Sequence, residues 1–344
     1  MQRFRSSLPL SMVLCGLLTA IVLAGCGSSN AAYGGSGNHL HDLLALTGLP
    51  NTLLAASHIG LYRSTDAGKH WTEVAGGTGQ PMAGLMTFKI TQSRANPKQI
   101  YVLAILRADG PQVAHPQPGL YASSDGGVTW KLATLLTAFP DPQIYTIGAG
   151  ATSAGDVYAL DQAKATLYHS TDGGAHWQTI AAIPDPQGIM GDAGQPHHVF
   201  AWSITGAFYL STDDGQSWAP AAGTKDGIFS VTQAGQTVYA SGNDGVFAST
   251  DGGADFTLVA SSVIYTALST SAANPQVIYG LSGTGVEISQ DGGHTWKATA
   301  TTSSHPTNVS TDPQNGHTAY VGFSYPLGIA GTTTSGSQWH TLLP

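Results

Sequence analysis

The chain has 344 residues, 44 of them glycine and 18 proline, and only 9% of it is charged while 42% is apolar. Glycine at this level without a Gly-X-Y period excludes collagen, and so few charges beside 7 Trp and 13 Tyr exclude a disordered chain. Twelve basic against 20 acidic side chains leave a net charge of −8, which repels phosphate backbones and speaks against nucleic acid as a partner.

Residues 1–25 read as an export signal. Arg3 and Arg5 supply the positive start, Leu8 to Leu23 the apolar stretch, and Leu23-Ala24-Gly25-Cys26 places small residues just before a cysteine. That tetrapeptide resembles the lipobox of bacterial lipoproteins. The resemblance implies cleavage before Cys26, lipidation of its thiol, and anchoring to the extracytoplasmic face of a bacterial membrane, with the membrane as one partner. Cys15 is lost with the signal, so no disulfide is expected in a compartment that would permit one. Residues 26–38, the cysteine and a run rich in Gly, Ser and Asn, read as a flexible tether.

From residue 39 onward one unit repeats. Ser64, Asp66, Gly68 and Trp71 set the pattern Ser-x-Asp-x-Gly-x-x-aromatic. It recurs at Ser123, Asp125, Gly127 and Trp130; at Ser170, Asp172, Gly174 and Trp177; and at Ser211, Asp213, Gly215 and Trp218. Two more copies run through Ser249, Asp251, Gly253 and Phe256 and through Ser289, Asp291, Gly293 and Trp296. A seventh, Thr332 to Trp339, keeps Gly336 and Trp339 and has Thr334 in place of the aspartate. Six of the 7 Trp close a box, Trp202 being the exception.

A short alternating strand precedes each box, as in Gly60-Leu61-Tyr62-Arg63, and another follows, as in Trp71-Thr72-Glu73-Val74. Further upstream lie two more, such as Ile144 to Gly148 and Asp156 to Leu160. Within the box the carboxylate can accept N–H bonds of its own turn, and the glycine supplies a left-handed position. Four strands in about 40 residues, repeated seven times, predict an all-β, seven-bladed propeller of four-stranded antiparallel blades over residues 39–344. The first blade is expected to start near His39 and the last near Pro306, so that both ends complete whole blades and the ring closes by side-to-side packing.

These boxes resemble the Asp-box (bacterial neuraminidase) repeats of sialidases, xyloglucanases, sortilin and photosystem II assembly factors. The resemblance implies that the boxes sit at turns between third and fourth strands, opposite the ligand face. Asp66, Asp125, Asp172, Asp213, Asp251 and Asp291 are then structural. Ligands are expected on the other face, among inter-blade links and second-to-third-strand loops, which offer Arg107, Asp109, His115, Asp161, Asp226, Asp244 and Tyr325. The longest such loop is Arg107 to Pro118.

Pro140-Asp141-Pro142-Gln143 and Pro184-Asp185-Pro186-Gln187 occupy matching links in adjacent blades, and rigid prolines pre-position each carboxylate. Asp141 and Asp185 are therefore the candidates for a catalytic pair. A sialidase needs three arginines around one carboxylate, and beyond the signal only Arg63, Arg94 and Arg107 exist, on elements that do not converge. A two-aspartate hydrolase of the xyloglucanase kind stays open as the alternative to a module that binds a protein or polysaccharide. Exposed aromatics for a sugar cleft look scarce, with Tyr325, Phe139 and Trp202 left over. His39-Leu40-His41 could meet His58 at one ring edge, yet the first two may simply begin a strand, so no metal and no cofactor are assigned.

Overall fold

The computed structural model describes residues 38–343 except 108, 110–114, 225–226, 284, 300–305 and 325–326. Its 28 strands among the described residues form seven antiparallel sheets, each of four strands consecutive in sequence. The blades span 40–75, 85–135, 144–179, 186–220, 228–261, 267–298 and 306–343. The first strands of neighbouring blades lie against one another around most of the ring, so the first strand of each blade is the innermost.

Burial follows this geometry. Second strands are covered on both faces by neighbouring blades and read as apolar runs, such as Ile100–Leu106, or Val157–Asp161 up to its final aspartate. Fourth strands form the outer edge and are short and exposed, as in Gln178–Thr179 and Lys297–Ala298, which discourages edge pairing between molecules. The core is correspondingly divided into seven clusters, each shared by two adjacent blades.

The seam between the last and first blades is built like the other six. Leu40, Leu43, Leu53 and Ala55 pack with Tyr320 and Ile329. Hydrogen bonds between described residues cross it: Ala45 N–H donates to Ser310 Oγ at 2.9 Å, Asn308 Nδ2 to the His41 carbonyl at 3.0 Å, and Ser324 Oγ to the Leu40 carbonyl at 2.8 Å. No strand is exchanged across the seam, as expected from the positions of His39 and Pro306.

Six boxes share one hydrogen-bond scheme. The Ser hydroxyl donates to the Asp carboxylate at 2.7–2.9 Å and accepts the box Gly N–H at 2.8–2.9 Å. The same carboxylate accepts the N–H four residues on at 2.9–3.1 Å. Each box Gly has φ between 85° and 93°, where a side chain would be strained. In the seventh box Thr334 replaces the carboxylate with a hydroxyl, which accepts Gln338 N–H at 3.2 Å, while Thr332 Oγ1 accepts Gly336 N–H at 3.1 Å.

Candidate functional site

Boxes and first-to-second-strand turns share one face of the ring. The opposite face carries the inter-blade links and the second-to-third-strand turns, and the described non-box candidates, Arg107, Asp109, His115, Asp141, Asp161, Asp185 and Asp244, fall there. Asp226 and Tyr325 lie outside the described residues, as does Cys26.

The two proline-flanked aspartates have separate partners. Asp141 Oδ2 pairs with Lys164 Nζ at 3.1 Å and its Oδ1 accepts Gln143 N–H at 3.2 Å. Lys164 is the main influence holding this carboxyl below the usual carboxylate range. Asp185 accepts the Thr205 hydroxyl instead, from a backbone position of φ 40° that Pro186 follows as the first residue of its strand. Asp161 is fully buried beneath Lys164: Oδ1 accepts the Lys164 N–H at 3.1 Å, and Oδ2 is buried without a hydrogen-bond partner. Asp244 is exposed at the tip of its turn.

The long blade-2 loop is anchored at both ends. Asp109 Oδ1 lies 2.7 Å from His58 Nε2 and 3.4 Å from Arg107 Nε, linking blades 1 and 2. Exposed His115, at φ 59°, borders a cavity of about 330 Å³ that is also lined by Pro81, Met82, Pro116, Tyr121 and Trp130. The three arginines stand apart: Arg63 Nε donates to the Gly126 carbonyl in a box turn, Arg94 lies in a turn on the box face, and Arg107 is on the link face.

The central mouth holds residues that, His41 apart, the sequence did not reveal. Six of the seven first strands carry a one-residue bulge near their start, and the extra residues are His41, Phe88, Tyr145, Gln187, Phe229 and Thr307. A bulge re-aims its side chain, and all six are half-buried or exposed although their neighbours in the strand are mostly covered. Three form an arc across blades 1–3, with ring centroids 5.1 Å apart for His41–Phe88 and 5.9 Å for Phe88–Tyr145. The aromatics expected to be left over behave otherwise. Phe139 is 6% exposed in the seam between blades 2 and 3, and Trp202 covers Gly188.

At the head of blade 1, His39, His41 and His58 come together, with one ring nitrogen from each lying within 4.8 Å of the others. Their rings are 4.5 Å apart for His39–His41 and for His39–His58.

The box face differs in character. Its box carboxylates are occupied by their own turns, and in Asp172 the His176 side chain and then its N–H hold the carboxyl down at about 2. The described candidate groups thus gather on the link face of a seven-bladed propeller, opposite the face that carries the box turns.

No family model matches this sequence, and no curated protein matches it. Solved structures do. A glycoside hydrolase family 74 xyloglucanase from Xanthomonas campestris superposes with a TM-score of 0.66 at 17% identity over 91% of this chain. This chain spans 55% of that enzyme's length. YCF48 bound to a D1 peptide gives 0.54 at 13% identity, covering 75% of this chain and 81% of its own. The WD40 repeats of RRP9 give 0.61 at 9% identity, covering 85% of this chain and 89% of theirs. The propeller fold is thus shared with glycanases and with a peptide-bound protein alike.

Proposed function

We propose that this chain is an exported, lipid-anchored propeller that captures a polymer or protein partner at the mouth of its link face, a glycan being the class its chemistry suits best. The observation that carries this reading is the aromatic arc of His41, Phe88 and Tyr145, with Phe229 on the same ring of bulges. Ring faces set in a rigid scaffold stack on sugar rings at little ordering cost, Gln187 adds a polar group on the same ring of bulges, and the Asp141–Lys164 pair adds charge on the same face. The direction of the shift at Asp141, held down first by its bond from Lys164, suits a polar contact rather than a proton donor. A two-carboxylate glycosidase needs one carboxyl raised so that it can donate a proton. Every described carboxyl with a shift is lowered, Asp141 among them.

A glycan array probed with residues 28–344 tests the reading, with a peptide array as the second arm because YCF48 has been seen with a peptide bound. Phe88→Ala and Tyr145→Ala should each weaken capture by about 1–2 kcal/mol, roughly tenfold. Capture that survives both changes would place the ligand elsewhere.

The anchor has its own test. Cys26→Ser should move the protein from the membrane fraction to the soluble or uncleaved pool, since no acyl chain then holds it. A cleaved Cys26→Ser product still firmly attached to membranes would remove the lipoprotein assignment.

A further inference from the structure

Ligand capture by stacking uses His41 but leaves its two histidine neighbours at the head of blade 1, His39 and His58, unexplained. We propose that His39, His41 and His58 bind a divalent transition-metal ion, with zinc the ion that fits them best.

His41 lies in the strand Leu40–Ala45, His39 just before it, and His58 just after the strand Leu53–Ser57. The His58 N–H donates to the His39 carbonyl at 2.9 Å, which fixes those two side by side, and the bulge brings in His41. His39 and His58 are each 6% exposed and His41 is half-buried, so the open side of the trio is at His41. His41 Nε2 and His58 Nδ1 are buried without a hydrogen-bond partner, which is costly for a polar atom unless something meets it.

The other nitrogen of His58 is already engaged by Asp109 at 2.7 Å. A carboxylate on the far nitrogen is the arrangement that orients a metal-bound imidazole and raises its basicity. Arg107 stands 3.4 Å from the same carboxylate.

Three imidazole nitrogens with no thiolate suit zinc, and a fourth, open position is left for water or a ligand oxygen. Four-coordinate zinc sets its nitrogens about 3.4 Å apart, so the present spread of up to 4.8 Å closes with small ring rotations. The site would lie at the edge of the proposed ligand mouth, but metal binding does not depend on any polymer.

The test is a zinc titration of the purified full chain, without a histidine tag and stripped by chelator, against a competing chromophoric chelator. One tight site per chain is expected, together with a rise in melting temperature. His41→Ala and His58→Ala should abolish it, and Asp109→Asn should weaken it by roughly 10–100-fold. His115→Ala, an exposed histidine outside the cluster, should leave it unchanged. Cobalt should give the visible absorption of a tetrahedral site, lost in the same variants. Should His58→Ala fail to fold, half-buried His41 carries the test, with metal-free circular dichroism as the control. No site stronger than that of scattered surface histidines, or a site indifferent to His41→Ala, would overturn the proposal. Neither readout contains a polymer, so this result and that of the array stand apart.

Discussion

Leu40→Ala is expected to destabilise the chain by about 2–5 kcal/mol and to broaden its unfolding transition. Leu40 is 2% exposed in the seam between blades 7 and 1, and it fills the notch left by Gly322, where a Cβ would collide with it. The seam is held by apolar packing and side-chain hydrogen bonds rather than by a shared strand. Opening it turns a closed ring into an open array, in which each blade is supported mainly by its immediate neighbours. Urea unfolding should therefore show a lower midpoint and a shallower slope than the wild type. Leu258→Ala, on an exposed outer strand at 43%, should change stability by no more than about 0.5 kcal/mol. Equal losses at the two positions would mean that the seam has no special part in holding the ring.

Asp172→Ala should cost about 1–3 kcal/mol while leaving capture on the opposite face intact. Its carboxylate accepts the His176 N–H at 2.9 Å and the Ser170 hydroxyl at 2.9 Å, and its own turn loses both acceptor contacts. The side chain is 43% exposed, so water can replace part of what is lost and the lower half of that range is expected. The pH dependence has a definite sign. Asp172 is held at about 2 in the fold, against about 3.9 for an unfolded aspartate. Its contribution is thus complete above about pH 4 and disappears as pH falls through about 2. The other five box aspartates are lowered as well, so acid should unfold the ring over that window, less steeply in Asp172→Asn. Unchanged melting with selective loss of capture would instead make the box aspartate functional.

The boxes were legible because each is local: hydroxyl, carboxylate, glycine and aromatic lie within eight residues, and their hydrogen bonds stay within the turn. Blade number and the unswapped seam followed by counting. The arc at the mouth was hidden because a bulge is a relation between two strands. Reading Leu85–Gln92 or Ile144–Ala149 by simple alternation puts Phe88 and Tyr145 in the core, and only the pairing with Ala104 and Leu160 shows the extra residue. One signal was present: Ile144-Tyr145 and Ile228-Phe229 place adjacent apolar residues at the same point of two blades, which a one-faced strand has no reason to do. The separate partners of Asp141 and Asp185 were equally beyond reach, since Lys164 and Thr205 come from turns distant in sequence.

The measurement that bears most directly on capture without hydrolysis is release of reducing sugar from polysaccharides retained by residues 28–344, compared with the Asp141→Asn, Asp185→Asn double variant. Retention of polymer without release is predicted, with affinity reduced modestly in the double variant, by about 1–3 kcal/mol for lost charged hydrogen bonds. Robust release that vanishes in the double variant would contradict this account and make the link face the active site of a hydrolase.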